Sequence, residues 1–398
     1  MSEAVVIGAG CIGRGFVAQL FSAAGWHVTF LDIDTRLVES LARDRSYVHV
    51  GVERTGSVRT VIGPVSAIDN GRDPDAAVAA LVAADVAATA VGGDHLREVA
   101  PLVARSVEQR VAQGRPPLNL LLCENLHDAA AVMRRLVAES AQGLAPDALD
   151  AGLGLVETSV DRTIPAVSAE TRAVDPTVIY TDAYRPLLHD IAAVRGPGLD
   201  VPGIVGDRTV PFAFYGERKL YVHNMGHAMT AYLGERLASE LICDAIAVPD
   251  VRRLVRGAMV ESATAVASVH GQPLPPVLDL VDDLLDRFAD RTLPDAVARV
   301  ARHPVRKTSP DDRLVGPYVS AVRQGLPSAH LSLAVAVGAD ALRRHERWSP
   351  HEIRRHLGLG GLDLTPAQRI LLSTQIALLE EEPGLRVQVA LIEEYGLG

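Results

Sequence analysis

The chain has 398 residues, 48% of them hydrophobic and 22% charged, the composition of a globular protein long enough for two domains. A net charge of −10 with no long basic run speaks against nucleic acid or an anionic membrane as a partner. Three scattered cysteines (Cys11, Cys123 and Cys243) form no CxxC pair, which argues against a disulfide framework or structural zinc and suits a reducing cytoplasm.

The N-terminus enters an apolar run at residues 4–7 (AVVI) with no charged region before it, so neither a signal peptide nor a membrane span is expected. This run reads as a buried parallel strand. Gly8-Ala9-Gly10-Cys11-Ile12-Gly13 follows, then helical spacing over 16–24, then a second strand over 27–31 that ends at Asp32. That is a GxGxxG fingerprint in its strand, turn and helix context, with an acid 19 positions beyond Gly13. Gly8 permits the turn, Gly10 lets a pyrophosphate approach the backbone, and Gly13 allows close helix–strand packing. The N–H groups of Cys11 and Ile12 fall where a helix N-terminus favours phosphate. Asp32 would accept hydrogen bonds from a ribose 2′-OH and repel a 2′-phosphate, which selects NAD over NADP. Arg14 tempers that preference.

The alternation continues with a strand over 58–62, a helix over 74–84 opened by Pro74, a strand over 85–91, a helix over 96–113 and a strand over 119–123. This order predicts an α/β, Rossmann-type doubly wound parallel sheet, whose ligands bind beyond the carboxyl ends of the strands. Val91, Gly92 and Asn125 occupy such ends and are candidate cofactor contacts. Plain turn chemistry at Gly92 and Gly93, or an N-cap role for Asn125 on a helix over 126–137, are the alternatives.

Two further strands are expected over 153–160 and 177–181, then a breaker-rich connection over 196–203. After Phe212 helical patterns run over 217–247, 250–269, 276–289, 294–301, 310–324, 327–345, 350–357 and 365–381. The expected division is residues 1–200 for an NAD-binding domain with extra strands and 201–398 for a mainly helical catalytic domain. The simplest architecture places a site between them.

The helical half carries the densest chemistry in the chain, at residues 217–227 (ERKLYVHNMGH). On an α-helix, Lys219, His223, His227 and Asn224 would lie at about 0°, 40°, 80° and 140° around the axis. This gathers one potential base and several hydrogen-bond donors on one face of an otherwise apolar helix. A solvated face, or a core histidine satisfied by a carbonyl, is the alternative; a group of four with a cofactor site elsewhere favours function.

Lys219-x4-Asn224-x2-His227 and the N-terminal GAGCIGRGF resemble the polyol-specific long-chain dehydrogenase family. The likeness extends to Cys123-Glu124-Asn125, Val160-Asp161-Arg162-Thr163-Ile164-Pro165, Gly257-Ala258-Met259 and the stretch from Pro304-Val305-Arg306-Lys307 to Asp312-Arg313-Leu314. The resemblance implies a metal-independent, NAD(H)-linked interconversion of a secondary alcohol and a ketone. Lys219 would be the general acid/base, Asn125 and Asn224 would bind the reacting oxygen, and His227 would orient the substrate. A lysine works as a base near neutrality only if its pKa falls from about 10.4, which desolvation or cationic neighbours such as Arg218, His223 or a bound nicotinamide can achieve.

A sugar or polyol phosphate is the expected ligand, interconverted between mannitol 1-phosphate and fructose 6-phosphate. Arg306, Lys307, Arg313 and His223 are the candidate substrate contacts; salt bridges to Asp311, Asp312 or Asp161 are the alternative for the cations. The chain departs from the family's form at Met225, where threonine is usual, at Asp290-Arg291, where Asn-Pro is usual, and over 183–187. Another polyol, a uronate or a cyclitol phosphate therefore stays open as substrate, as does a non-catalytic NAD-binding sensor. A cytoplasmic monomer or weak homo-oligomer is expected.

Overall fold

The computed structural model describes the chain except for residues 54–55, 127, 142, 144, 163, 165–166, 168, 183–185, 197, 293, 381–387, 389, 391 and 395–398. Thr163 and Pro165 of the family-like stretch, residues 183–185 of the divergent one and the end of the last expected helix lie outside the described residues. Two compact units form, Met1–Phe212 and Ala213–Gly398.

The first unit contains β1 (Glu3–Ile7), β2 (His27–Asp32), β3 (Tyr47–Glu53), β4 (Gly56–Ile62), β5 (Val65–Asp69), β6 (Val86–Thr89), β7 (Leu118–Leu122), β8 (Leu153–Ser159), β9 (Ile179–Asp182), β10 (Leu187–His189) and β11 (Ile204–Gly206). The main sheet runs β5-β2-β1-β6-β7-β8-β10-β11. From β5 to β8 every pairing is parallel, and this is the doubly wound order expected of a dinucleotide-binding sheet. The strand order reverses between β1 and β6, which opens a crevice at their carboxyl ends. Alternation along β1 sends Val5 and Ile7 into one buried cluster and Ala4 and Val6 into another, so both faces are covered by apolar packing.

Two expected strands sit elsewhere. Residues 58–62 belong to β4, which pairs with β3 in a separate three-stranded sheet completed by β9. The parallel neighbour of β2 is instead β5. Both segments are short, β-prone and bounded by turn residues, so local pattern could not choose between them. The expected strand over 177–181 is β9 and also lies in the small sheet.

That small sheet braces the nucleotide-binding loop. After the loop the helix begins with a π turn, Gly13–Val17, before continuing as Ala18–Ala23. A π turn carries wide i→i+5 hydrogen bonds and leaves carbonyls in need of outside donors. The Tyr47 hydroxyl donates to the Arg14 carbonyl (2.5 Å) and Arg162 donates to that of Gly15 (2.9 Å). His49 Nε2 also approaches the Gly15 carbonyl at 3.3 Å, and the Arg162 guanidinium stacks over the Phe16 ring.

The second unit is helical. The helix expected over 217–247 is really Phe212–Glu217, a π turn Arg218–His223, an α-helix Asn224–Arg236 and a separate helix Ile242–Ala247. The break comes where Ala238 adopts a left-handed φ of 52° and Ser239 N–H returns to the Gly234 carbonyl. The released chain pairs with a distant one: Val297 N–H donates to Glu240 and Ile242 N–H to Asp295, each at 2.9 Å. The helix expected over 310–324 starts only at Gly316, because the preceding residues form turns. Helices Pro249–Val269, Pro275–Phe288 and Ala329–Ala341 supply most of the surrounding packing. No described helix is long and apolar enough to cross a membrane, and all three cysteines are free thiols.

Replacing Tyr47 by Phe strands the Arg14 carbonyl in a buried position. We expect Tyr47→Phe to destabilise the first unit by about 1–3 kcal/mol, measured by denaturant unfolding against wild type.

Candidate active site

The glycines of the first loop do different jobs. Gly8 has φ +100°, and a Cβ there would come within 2.5 Å of the Ala90 carbonyl oxygen at the end of β6. A Cβ on Gly13 would come within 2.0 Å of the Gly8 carbonyl oxygen, so this glycine sets the helix against the strand. Gly10 differs from both, since a Cβ there would meet nothing within 4 Å. Its smallness serves no contact of the protein's own; it leaves room for something to approach. Cys11 is exposed and Ile12 is already helical (φ −68°), so the first helical turn directs its N–H groups at this space.

Asp32 ends β2 beside the loop. Its carboxylate accepts from Ala9 N–H (2.6 Å) and Asp34 N–H (2.9 Å), which ties the acid to the loop it serves. Arg14 lies behind the loop. Its guanidinium is buried and donates to the carbonyls of Ala9 and Thr177. Burial lowers its pKa, with the Tyr47 hydroxyl, Cys11 and the carboxylates of Asp32 and Asp175 acting against it.

At the end of β6, Val91 and Gly92 donate to the two oxygens of the Glu124 carboxylate at 3.2 and 2.7 Å. Gly92 has φ +89°, so its turn requires glycine whatever else it does. Burial raises the Glu124 pKa above the usual carboxylate range despite these hydrogen bonds. Glu124 was not among the sequence candidates. Asn125 is exposed just beyond β7, and the following helix starts at Ala129 behind Asp128, so Asn125 is not its N-cap. The residues present fit a dinucleotide: open backbone at Gly10, a helix start, and an acid at the end of the second strand.

In the second unit the π turn changes the expected helical wheel. Asn224 N–H donates to the Lys219 carbonyl, an i→i+5 bond that sets these residues one turn apart along the helix. Asn224 therefore comes closer to the Lys219 side than α-helical geometry allows. Lys219, His223, Asn224 and His227 are all half-buried, while Val222, Met225, Gly226, Ala228 and Met229 are buried. The Tyr221 carbonyl in the opened turn accepts from Ser262 Oγ at 2.7 Å.

His227 sits in a built environment. Its ring stacks on Phe288 at 5.1 Å with 16° between planes, and His223 lies 5.8 Å from the same phenyl ring. Nε2 of His227 lies 3.2 Å from Oδ2 of Asp295, whose side chain is 8% exposed. Arg299 donates to the same carboxylate through Nε (2.7 Å) and Nη2 (2.5 Å). Burial acts to raise the Asp295 pKa, but hydrogen bonds from His227 and Arg299 outweigh it and hold the group at about 2. Desolvation lowers the His227 pKa and outweighs the pull of Asp295; the charges of Arg299 and Lys307 act in the same direction as burial. Asp295, Arg299 and Phe288 were not among the sequence candidates. The first two were legible as an i,i+4 acid–base pair in the expected helix over 294–301.

The cation cluster divides. Lys307 is buried, donates to the Val300 carbonyl and lies 5.7 Å from the centre of the Tyr232 ring. Burial, with Arg313 and Arg306 adding to it, pushes its pKa down to about 7. Arg313 is buried and paired with Asp312 at 2.7 Å, the salt-bridge alternative, while Arg306 is exposed. No group of three His, Cys, Asp or Glu side chains among the described residues converges to hold a metal ion.

Two tests follow from this geometry. Gly10→Ala should fold like wild type yet bind NADH at least tenfold more weakly in a fluorescence titration, whereas Gly13→Ala should lose thermal stability outright. For Lys307, a folded pKa below the unfolded one means that the unfolded chain binds the extra proton between about pH 7 and 10.5. Its contribution to stability therefore increases as pH rises through that window. The pH dependence of melting temperature should be flatter there in Lys307→Met.

Residues 2–196 match the mannitol dehydrogenase Rossmann domain and residues 212–349 the mannitol dehydrogenase C-terminal domain. A mannitol-1-phosphate 5-dehydrogenase from Brevibacillus brevis is 33% identical over 341 residues, 84% of each chain. Two solved structures share the fold. A substrate-free D-sorbitol dehydrogenase aligns over 97% of this chain and 94% of its own (TM-score 0.78, 17% identity). The Pseudomonas fluorescens mannitol 2-dehydrogenase, solved with NAD and D-mannitol, aligns over 99% and 94% (TM-score 0.75, 16% identity). With family domains matched along most of its length and a third of the aligned residues shared with that bacterial relative, the chain belongs to the mannitol dehydrogenase family.

Proposed function

We propose that the protein is an NAD-dependent polyol phosphate dehydrogenase that interconverts mannitol 1-phosphate and fructose 6-phosphate, with Lys219 as general acid/base. The observation that carries the chemistry is the half-buried face of Lys219, His223, Asn224 and His227 on a helix whose other side is core. Gly8, Gly10, Cys11, Ile12, Gly13, Asp32, Val91, Gly92 and Asn125 would hold the dinucleotide. When bound, NAD+ supplies the hydride acceptor. Lys219 takes the hydroxyl proton in the oxidation and returns it in the reduction. Negative charge then grows on the reacting oxygen, where the Asn224 amide donates. Each such donor is worth about 2.7–4 kcal/mol of transition-state stabilisation. The resemblance assigns the same task to Asn125.

The substrate assignment rests on the relative's name and on where the departures from the family fall. Met225 is fully buried, so the residue usual there as threonine is packing here rather than contacting sugar. Asp290 accepts from Thr292 N–H and Oγ1, and Arg291 pairs with Asp244, which makes that pair a surface turn. For the phosphate, Arg306 is the exposed member of the cluster, and Lys307 supplies a positive charge that titrates near neutrality.

The test follows NADH absorbance with fructose 6-phosphate and fructose side by side. Wild type should turn over the phosphorylated ketose, and Lys219→Ala should lose roughly 10²–10⁴-fold in rate while still binding NADH. Turnover of neither ketose overturns the mannitol assignment and directs the search to uronates and cyclitol phosphates. Full turnover in Lys219→Ala overturns the assignment of the base.

A further inference from the structure

We propose that Asp295 is the positioning residue of the catalytic half: it holds His227 as the neutral tautomer protonated on Nε2, leaving Nδ1 to accept a hydrogen bond from a substrate hydroxyl. The proposal rests on the reading of His227 as the residue that orients substrate.

The geometry restrains both partners. The Asp295 carboxylate is gripped by the Arg299 fork, which bonds one oxygen at 2.7 Å and the other at 2.5 Å. Its main chain is pinned as well, because Ile242 N–H donates to the Asp295 carbonyl at 2.9 Å. A carboxylate held ionised in this way can only accept hydrogen bonds. The nitrogen facing it at 3.2 Å, His227 Nε2, must therefore carry a proton. Phe288 stacked on the imidazole at 5.1 Å fixes the ring plane, so the remaining lone pair has one direction.

Two states of the ring are then possible, neutral or doubly protonated. The groups acting on it are Asp295, which favours the second proton, and the cations Arg299 and Lys307, which oppose it, as does desolvation. His223 is the neighbouring imidazole, 6.3 Å between ring centres. The opposing influences prevail, and Nδ1 stays a lone-pair acceptor. An acceptor there distinguishes a polyol hydroxyl from a carbonyl oxygen, which a donor would favour instead.

The test reads the ring itself. In the whole protein labelled with ¹⁵N-histidine, assigned with His227→Gln, the His227 resonances at neutral pH should be those of the Nε2–H tautomer. A proton on Nδ1, or on both nitrogens, in wild type overturns the proposal without any variant at Asp295. In Asp295→Asn the amide can present N–H to Nε2 and drive the proton to Nδ1, the error that an Asp-to-Asn change causes where a carboxylate orients a histidine. We expect that tautomer exchange together with a fall in kcat/KM for the ketose on the order of tenfold or more, unchanged NADH affinity, and partial recovery in Asp295→Glu. A folded Asp295→Asn that keeps the wild-type tautomer overturns the proposal. Should wild type turn over no fructose 6-phosphate while showing the Nε2–H tautomer, the substrate assignment fails and the positioning role stands.

Discussion

Opened helical turns carry the candidate site residues of both units, and side chains from other segments donate to carbonyls in each. A π turn widens the helix and leaves carbonyls without their usual partners, which in a buried setting is costly. Behind the nucleotide loop, Tyr47 and Arg162 supply the donors. At the helix that carries Lys219 and His227, Ser262 donates to the Tyr221 carbonyl from the helix Pro249–Val269. The small sheet of β3, β4 and β9 thus has a positional purpose that its place off the main sheet does not suggest.

Much of this organisation is visible in the sequence. The glycine fingerprint and Asp32 specify a local geometry, and local geometry follows from local residues. The alternation of apolar strands and helices sufficed to predict the parallel sheet. The errors have a common physical origin in contacts between distant segments. Residues 58–62 and 65–69 are equally good strands in isolation, and only pairing with β2 separates them. The burial of Arg14 is likewise invisible locally, since the carbonyl of Thr177, far along the chain, draws it inward.

The candidate site shows the same division. Lys219, Asn224 and His227 are recognisable from spacing, yet the turn that brings the first two closer is not, because α and π turns differ in which carbonyl each N–H finds. Asp295 escaped notice because its significance lies in His227, a partner on another element. Lys307 reads in the sequence as a plain cation; its burial, which makes the charge conditional on pH, comes from packing against Tyr232 and the Val300 carbonyl and is not visible in its neighbours along the chain.

The break after Arg236 has a consequence for how the site comes into being. The helix carrying His227 can form from local contacts, but its acid lies about 70 residues further along the chain. The two meet through the pairing of 240–242 with 295–297, which closes a long loop and carries the entropic cost of doing so. Local helix formation alone therefore leaves the histidine unoriented. Its orientation is a property of the closed loop and requires the chain to return on itself.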